Sequence, residues 1–328
     1  MVQAFGNRKS SALAGMVLAA GLSMTSHAQV ADAVSTGAPA AVAAQGAHDF
    51  RGAGNPHVLP WRDPATASSP APFARASSRT LTYYGGPVIA NVNVVKVNYG
   101  AGTYQPYVSG TGAGTMSAFY GAVVGSPYFS WLNTDYHTST QTIGYGSFAG
   151  DKSITPSAAN NGSTITDAQI QAEIQRQIGL GVLPAATANT YYAMYFPKGK
   201  KIQQGTSYSC QSGGFCAYHG TIKNGSSYIF YGVHPDNSTG SGCDAGCGTS
   251  TPFNNWTSVA SHELIEAVTD PAVGVATTYA SPLGWYNKTY GEIGDICNAQ
   301  QGTVTVGGVA YTVQKEWSNS KQACITNF

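Results

Sequence analysis

Between Trp256 and Pro271 the chain reads Trp-Thr-Ser-Val-Ala-Ser-His-Glu-Leu-Ile-Glu-Ala-Val-Thr-Asp-Pro, and the ionisable residues His262, Glu263 and Glu266 stand in an apolar run. The spacing predicts a helix over residues 255–268, with Pro271 beyond its end. Val259, Ala260, Leu264, Ile265, Ala267 and Val268 surround the charges, so this helix is expected to be buried on most sides. A carboxylate drawn into such an interior needs a cation or hydrogen-bond partners, because an unpaired buried charge costs several kcal/mol. The fold must therefore bring compensating groups to this helix.

His262 and Glu266 stand four apart and project from one face, with Glu263 displaced by one residue toward the same opening. An imidazole and a carboxylate one turn apart can occupy two positions of a divalent cation. Glu263 is then free to take a proton from a water on that ion. This is the zincin pattern His-Glu-x-x-His with glutamate in place of the second histidine. A third ligand is expected from Gly291-Glu-Ile-Gly-Asp-Ile-Cys297, where Glu292 and Asp295 are the candidates, and His219 is the alternative nitrogen donor. Zn2+ is the expected ion, and the oxygen-rich donor set also admits Ca2+ or Mn2+. Asp270, just before Pro271, reads as a cap or turn residue.

The N-terminus has the layout of a secretory signal over residues 1–28: Arg8 and Lys9, an apolar run from Ala12 to Met24, and small residues at Ser26-His27-Ala28. Residues 29–80, rich in Ala, Pro, Ser and Gly, read as a disordered leader or propeptide, and residues 81–328 as one domain. Only 9% of residues are charged and the formal net charge is +1, which gives no electrostatic basis for a nucleic-acid partner. No stretch is long and apolar enough to predict a membrane span. The expected location is extracellular or periplasmic.

Export places the six cysteines in an oxidising compartment. The simplest pairing joins sequence neighbours: Cys210 with Cys216, Cys243 with Cys247, and Cys297 with Cys324. Strands are expected at Tyr83–Tyr99, Thr140–Phe148 and Tyr191–Phe196, and helices within Ala113–Leu132 and after the capping box Thr166-Asp-Ala-Gln169. Hairpins are expected across Asn224-Gly225 and Gly307-Gly308. The sum is an α/β (α+β) fold, a disulfide-stabilised mixed β-sheet with packed helices in a zincin-like metallopeptidase architecture.

Tyr84-Gly-Gly-Pro-Val88, Phe215-Cys-Ala-Tyr-His219, the Cys243/Cys247 loop, Ser261-His-Glu-Leu-Ile-Glu266 and Glu292-Ile-Gly-Asp-Ile-Cys297 occur here in that order. In this the chain resembles the EXORDIUM, or phosphate-induced, family of plants across residues 83–328. The resemblance implies a protein of the cell exterior or wall, linked in plants to growth and carbon status. It groups His262, Glu263, Glu266, Glu292 and Asp295 as one constellation, and it supplies no reaction. The residues themselves lead to the expectation of a secreted metal-dependent hydrolase acting on peptide or protein. The alternative is a non-catalytic wall-associated protein that binds polysaccharide and carries a structural cation.

Overall fold

The computed structural model describes residues 58–64 and 79–328. The expected signal peptide and most of the expected leader lie outside the described residues. Six strands form the main sheet: β1 (Val58–Pro60), β2 (Asn93–Tyr99), β3 (Ser147–Ile154), β4 (Thr190–Tyr195), β5 (Phe215–Asn224) and β6 (Ser227–His234). Their spatial order is β1-β5-β6-β4-β2-β3. The β6–β4, β4–β2 and β2–β3 pairs are parallel, whereas β5 runs antiparallel to β6 and to β1. The sheet is therefore mixed, as expected.

Every residue of β4 is buried, which follows from its place between two parallel neighbours with layers on both faces. Tyr191, Ala193 and Tyr195 enter one core, and Tyr192 and Met194 enter the other. Helix α1 (Met116–Val123) covers the first face through Phe119, Tyr120 and Val123. Helix α2 (Asp167–Gly179) covers the second through Ile170 and Ile174. It starts at the capping box read from the sequence: Thr166 Oγ1 accepts from Gln169 N at 3.3 Å, and Gln169 Oε1 accepts from Thr166 N at 2.8 Å. The chain continues through one helical turn, α3 (Cys243–Gly246), into α4 (Pro252–Thr269), which lies in the first core. A closing hairpin of β7 (Gln301–Val306) and β8 (Val309–Gln314) turns on Gly307 and Gly308, both at positive φ (58° and 81°).

Several expectations shift. Val58–Pro60 is a strand paired with β5, although composition assigns it to the leader; buried Leu59 and the Trp61 Nε1 hydrogen bond to Gly242 O (2.8 Å) anchor it. The strand expected from Tyr83 begins only at Asn93, since Ile89 N is committed to Val268 O at the end of α4 (2.9 Å). The Thr140–Phe148 strand is displaced to Ser147–Ile154. The first hairpin turns on Gly225-Ser226, because Asn224 pairs with Ser227, and only Gly225 takes a positive φ (61°).

Two of the three expected disulfides are also corrected. Cys210 joins Cys243 and Cys216 joins Cys247, while Cys297 pairs with Cys324 as expected. Cys243 and Cys247 are four apart on a helical turn, where Cβ atoms stand about 5–6 Å apart. A disulfide needs about 3.8 Å between Cβ atoms, so the turn directs both sulfurs outward to the segment entering β5. All six cysteines are paired, and no helix among the described residues is long and apolar enough to cross a membrane.

Candidate metal centre

Helix α4 starts at Thr251, whose side chain accepts from Asn254 N at 3.3 Å, with Pro252 in the first turn. It ends at Asp270, whose Oδ1 accepts from Gly284 N (2.7 Å), the cap-and-turn role expected of it. Every residue from Asn255 to Thr269 is buried, so the His262, Glu263 and Glu266 side chains are shielded from bulk water. Strand β5 lies beside this helix, and its two-residue alternation places Ala217 and His219 on the facing side.

Three segments meet there. His262 Nε2 lies 3.1 Å from Glu266 Oε2, and His219 Nδ1 lies 3.4 Å from Glu263 Oε2 and 3.6 Å from Glu266 Oε2. His219 Nε2 lies 3.4 Å from Glu292 Oε1. Donor atoms close enough to share an ion form two groups, His219/Glu266/Glu292 and His262/Glu263/Glu266. Glu292 is thus brought to the helix, and so is His219, which the sequence reading placed second to the acidic candidates. Asp295 belongs to neither group. Its Oδ2 accepts from Glu292 N (3.0 Å), and its own N–H donates to Glu266 Oε1 (3.1 Å), so it shapes the loop and orients a ligand candidate.

Glycine lets this loop approach. Gly291 takes φ 86° and exchanges backbone hydrogen bonds with Asn287 (2.8 and 2.9 Å). A Cβ on Gly294 would sit 2.5 Å from His262 Nδ1 and 2.9 Å from Glu266 Oε1, so any side chain there pushes the loop off the helix. The Cys297–Cys324 bridge and the Trp317 N–H bond to Ile293 O (3.1 Å) hold the loop from behind.

Burial alone would depress the His262 pKa, but Glu266, Glu263 and Asp295 outweigh it and hold it up at about 10. His219 follows the same balance and is pushed well above its ordinary value, chiefly by Glu292 against desolvation. Desolvation raises Glu263, and the His219 hydrogen bond and His262 charge only partly offset it. Glu316, also buried, is held well above the usual carboxylate range by desolvation, although its Oε1 accepts from Tyr128 OH at 2.7 Å.

The fit to a cation rests on buried polar atoms. Glu263 Oε1 is buried without a hydrogen-bond partner, and His219 Nε2 and His262 Nε2 face carboxylates at 3.4 and 3.1 Å without a hydrogen bond of good geometry, an arrangement that is costly unless a ligand completes it. Gln314, which sequence reasoning missed, lies with Nε2 2.6 Å from His262 Nδ1 and donates to Gly294 O at 2.9 Å. With Gln314 Nε2 donating, Nδ1 is the acceptor and a neutral ring carries its proton on Nε2, facing Glu266; a protonated ring instead needs the Gln314 amide turned to receive Nδ1–H. A cation at Nε2 needs the other tautomer, with the Gln314 amide turned to receive Nδ1–H. One signal pointed to Gln314: it is a buried polar residue closing an otherwise apolar-alternating strand.

No protein-family model, curated protein or solved structure matches the chain.

Proposed function

We propose that this protein is a metal-dependent hydrolase of the cell exterior, a zincin-like peptidase that takes peptide or protein substrate. The observation that carries this reading is Glu263 Oε1, a fully buried carboxylate oxygen without a hydrogen bond, on the residue next to His262. His262, Glu266, His219 and Glu292 are the candidate holders of the ion, with Zn2+ expected and Mn2+ or Ca2+ compatible with the oxygen donors. When bound, a divalent ion supplies Lewis acidity at a carbonyl and acidifies water. Glu263 accepts the proton, and its raised pKa suits a base working nearer neutral pH. His219 holds Glu263 Oε2, and the Asp295 N–H fixes the rotamer of Glu266. The EXORDIUM-like motifs support the grouping of His262, Glu263, Glu266, Glu292 and Asp295 and an extracellular setting, with which three disulfides agree.

A second reading, a non-catalytic extracellular protein with a structural cation, is favoured by one specific observation. None of His219, His262, Glu263, Glu266 and Glu292 is more than 1% exposed, and closed sites are characteristic of structural ions. The hydrolase reading requires this enclosed cluster to open to substrate during turnover. Chelation followed by parallel measurement of peptide-library hydrolysis and thermal unfolding separates the two. A hydrolase loses turnover, regains it on metal addition and keeps its fold. A protein that shows no turnover at any metal loading, and whose melting temperature collapses on chelation, is the structural alternative.

A further inference from the structure

The metal-site reading leaves open how many ions the cluster holds, and the following inference rests on that reading. Donors that share one ion lie about 2.0–2.2 Å from it, and hence no more than about 4.4 Å from one another. The donors here do not gather as one set: they form two groups, each drawn together within 4.8 Å. Each group has its own imidazole, His219 in one and His262 in the other, and the two overlap only at Glu266. Each imidazole also presents one buried nitrogen, Nε2, that faces a carboxylate oxygen, Glu292 Oε1 at 3.4 Å or Glu266 Oε2 at 3.1 Å, without a hydrogen bond of good geometry. The molecule thus offers two ligand-ready nitrogens in two places.

Glu266 is arranged to serve both groups. Its Oε1 is taken by the Asp295 N–H at 3.1 Å, and its Oε2 faces both rings, 3.1 Å from His262 Nε2 and 3.6 Å from His219 Nδ1. Glu266 is the residue common to both groups, and its Oε2 meets His262 on the Nε2 edge and His219 on the Nδ1 edge. Glu292 lies on the opposite edge of the His219 ring from Glu263, since Nε2 faces the first and Nδ1 the second, both at 3.4 Å. Glu292 therefore belongs with His219 and lies away from the His262 side.

We propose that the cluster is a two-ion centre bridged by Glu266, with one divalent cation held by His219, Glu292 and Glu266 and the other by His262 and Glu266 beside Glu263. Such pairs clamp attacking and leaving oxygens between two cations, a chemistry open to ester and phosphoester as well as peptide substrates. Glu263 keeps its unpartnered oxygen in this arrangement.

The test is metal stoichiometry on the full mature chain, stripped, reloaded with Zn2+ alone or Mn2+ alone, desalted and analysed for metal per chain. Two ions per chain are expected, with the Mn2+ form giving the electron paramagnetic resonance spectrum of a coupled pair. One ion per chain, with the six-line spectrum of isolated Mn2+, overturns the two-ion proposal and leaves the metal-site reading standing. No bound ion overturns both. Among variants that retain the wild-type circular dichroism spectrum, Glu292→Gln is expected to bind one ion and Glu266→Gln none. Loss of all metal from Glu292→Gln would mean a single shared ion.

Discussion

Glu173 and Glu263 are both glutamates of helices, both fully buried, on opposite faces of one sheet. Glu173 Oε2 accepts from Ser157 N and Oγ (3.2 Å each) and Asn160 Nδ2 (3.0 Å), and its Oε1 accepts from Gln177 Nε2 at 2.7 Å. Burial pushes its pKa up, but those hydrogen bonds and the Arg176 charge prevail and hold it below the ordinary value. Glu263 has a 3.4 Å contact to His219 at one oxygen and none at the other, and burial prevails. The first carboxylate is completed by its own chain and works as structure. The second is left incomplete, and a buried carboxylate oxygen without a partner is rare in folded chains and calls for a reason.

That contrast fails if the two residues respond alike to substitution. The largest expected effect is on turnover: Glu263→Gln should lower hydrolysis by about 10²–10⁴-fold while metal content stays at the wild-type level. A variant with unchanged turnover would remove Glu263 from the proton-transfer role. The next is on stability. Glu173→Ala strands the Ser157, Asn160 and Gln177 donors and should cost about 2–4 kcal/mol in urea unfolding, with or without metal. Glu263→Gln in the stripped protein should change stability by no more than about 1 kcal/mol, or raise it, because it replaces an uncompensated charge by a neutral group of the same shape. Equal losses from both would show Glu263 to be structural after all.

A smaller effect sharpens the comparison through pH. His262 has its folded pKa raised to about 10 from an ordinary 6.5, so it contributes stability fully below pH 6.5 and loses it as pH rises toward 10. Stripped protein should therefore become easier to unfold across that window, by on the order of a few kcal/mol. Metal-loaded protein should not, because the ion replaces the proton. A stripped protein whose urea midpoint is flat from pH 6.5 to 10 would show that His262 is neutral in the empty cluster.

The α4 helix, the α2 capping box and the Gly307-Gly308 hairpin were legible in the sequence because each follows from local rules of spacing or turn chemistry; the return of the Glu292 loop to α4 was read from its glycine-flanked acidic motif, and its nearest ring there is that of His219. Strand starts were less so. The alternation from Val88 to Val94 is real, yet Val88 and Ile89 bond to Gln141 and Val268, and no pattern within the segment encodes those partners. His219 and Gln314 were hidden for a related reason: each is one polar residue in a strand, and its significance depends on which element lies across from it. The crossed disulfides could have been anticipated, since Cys243 and Cys247 cannot join within one helical turn.

Those crossed bridges set an order of events in time. Cys210–Cys243 and Cys216–Cys247 are two rungs from the lead-in and start of β5 to the lead-in of α4, the elements that carry His219 and His262. Until the rungs close, nothing covalent holds the two histidines in register. Before oxidation, packing alone keeps the strand that carries His219 against the helix that carries His262, so the spacing of the two rings is pinned only once both bridges have formed.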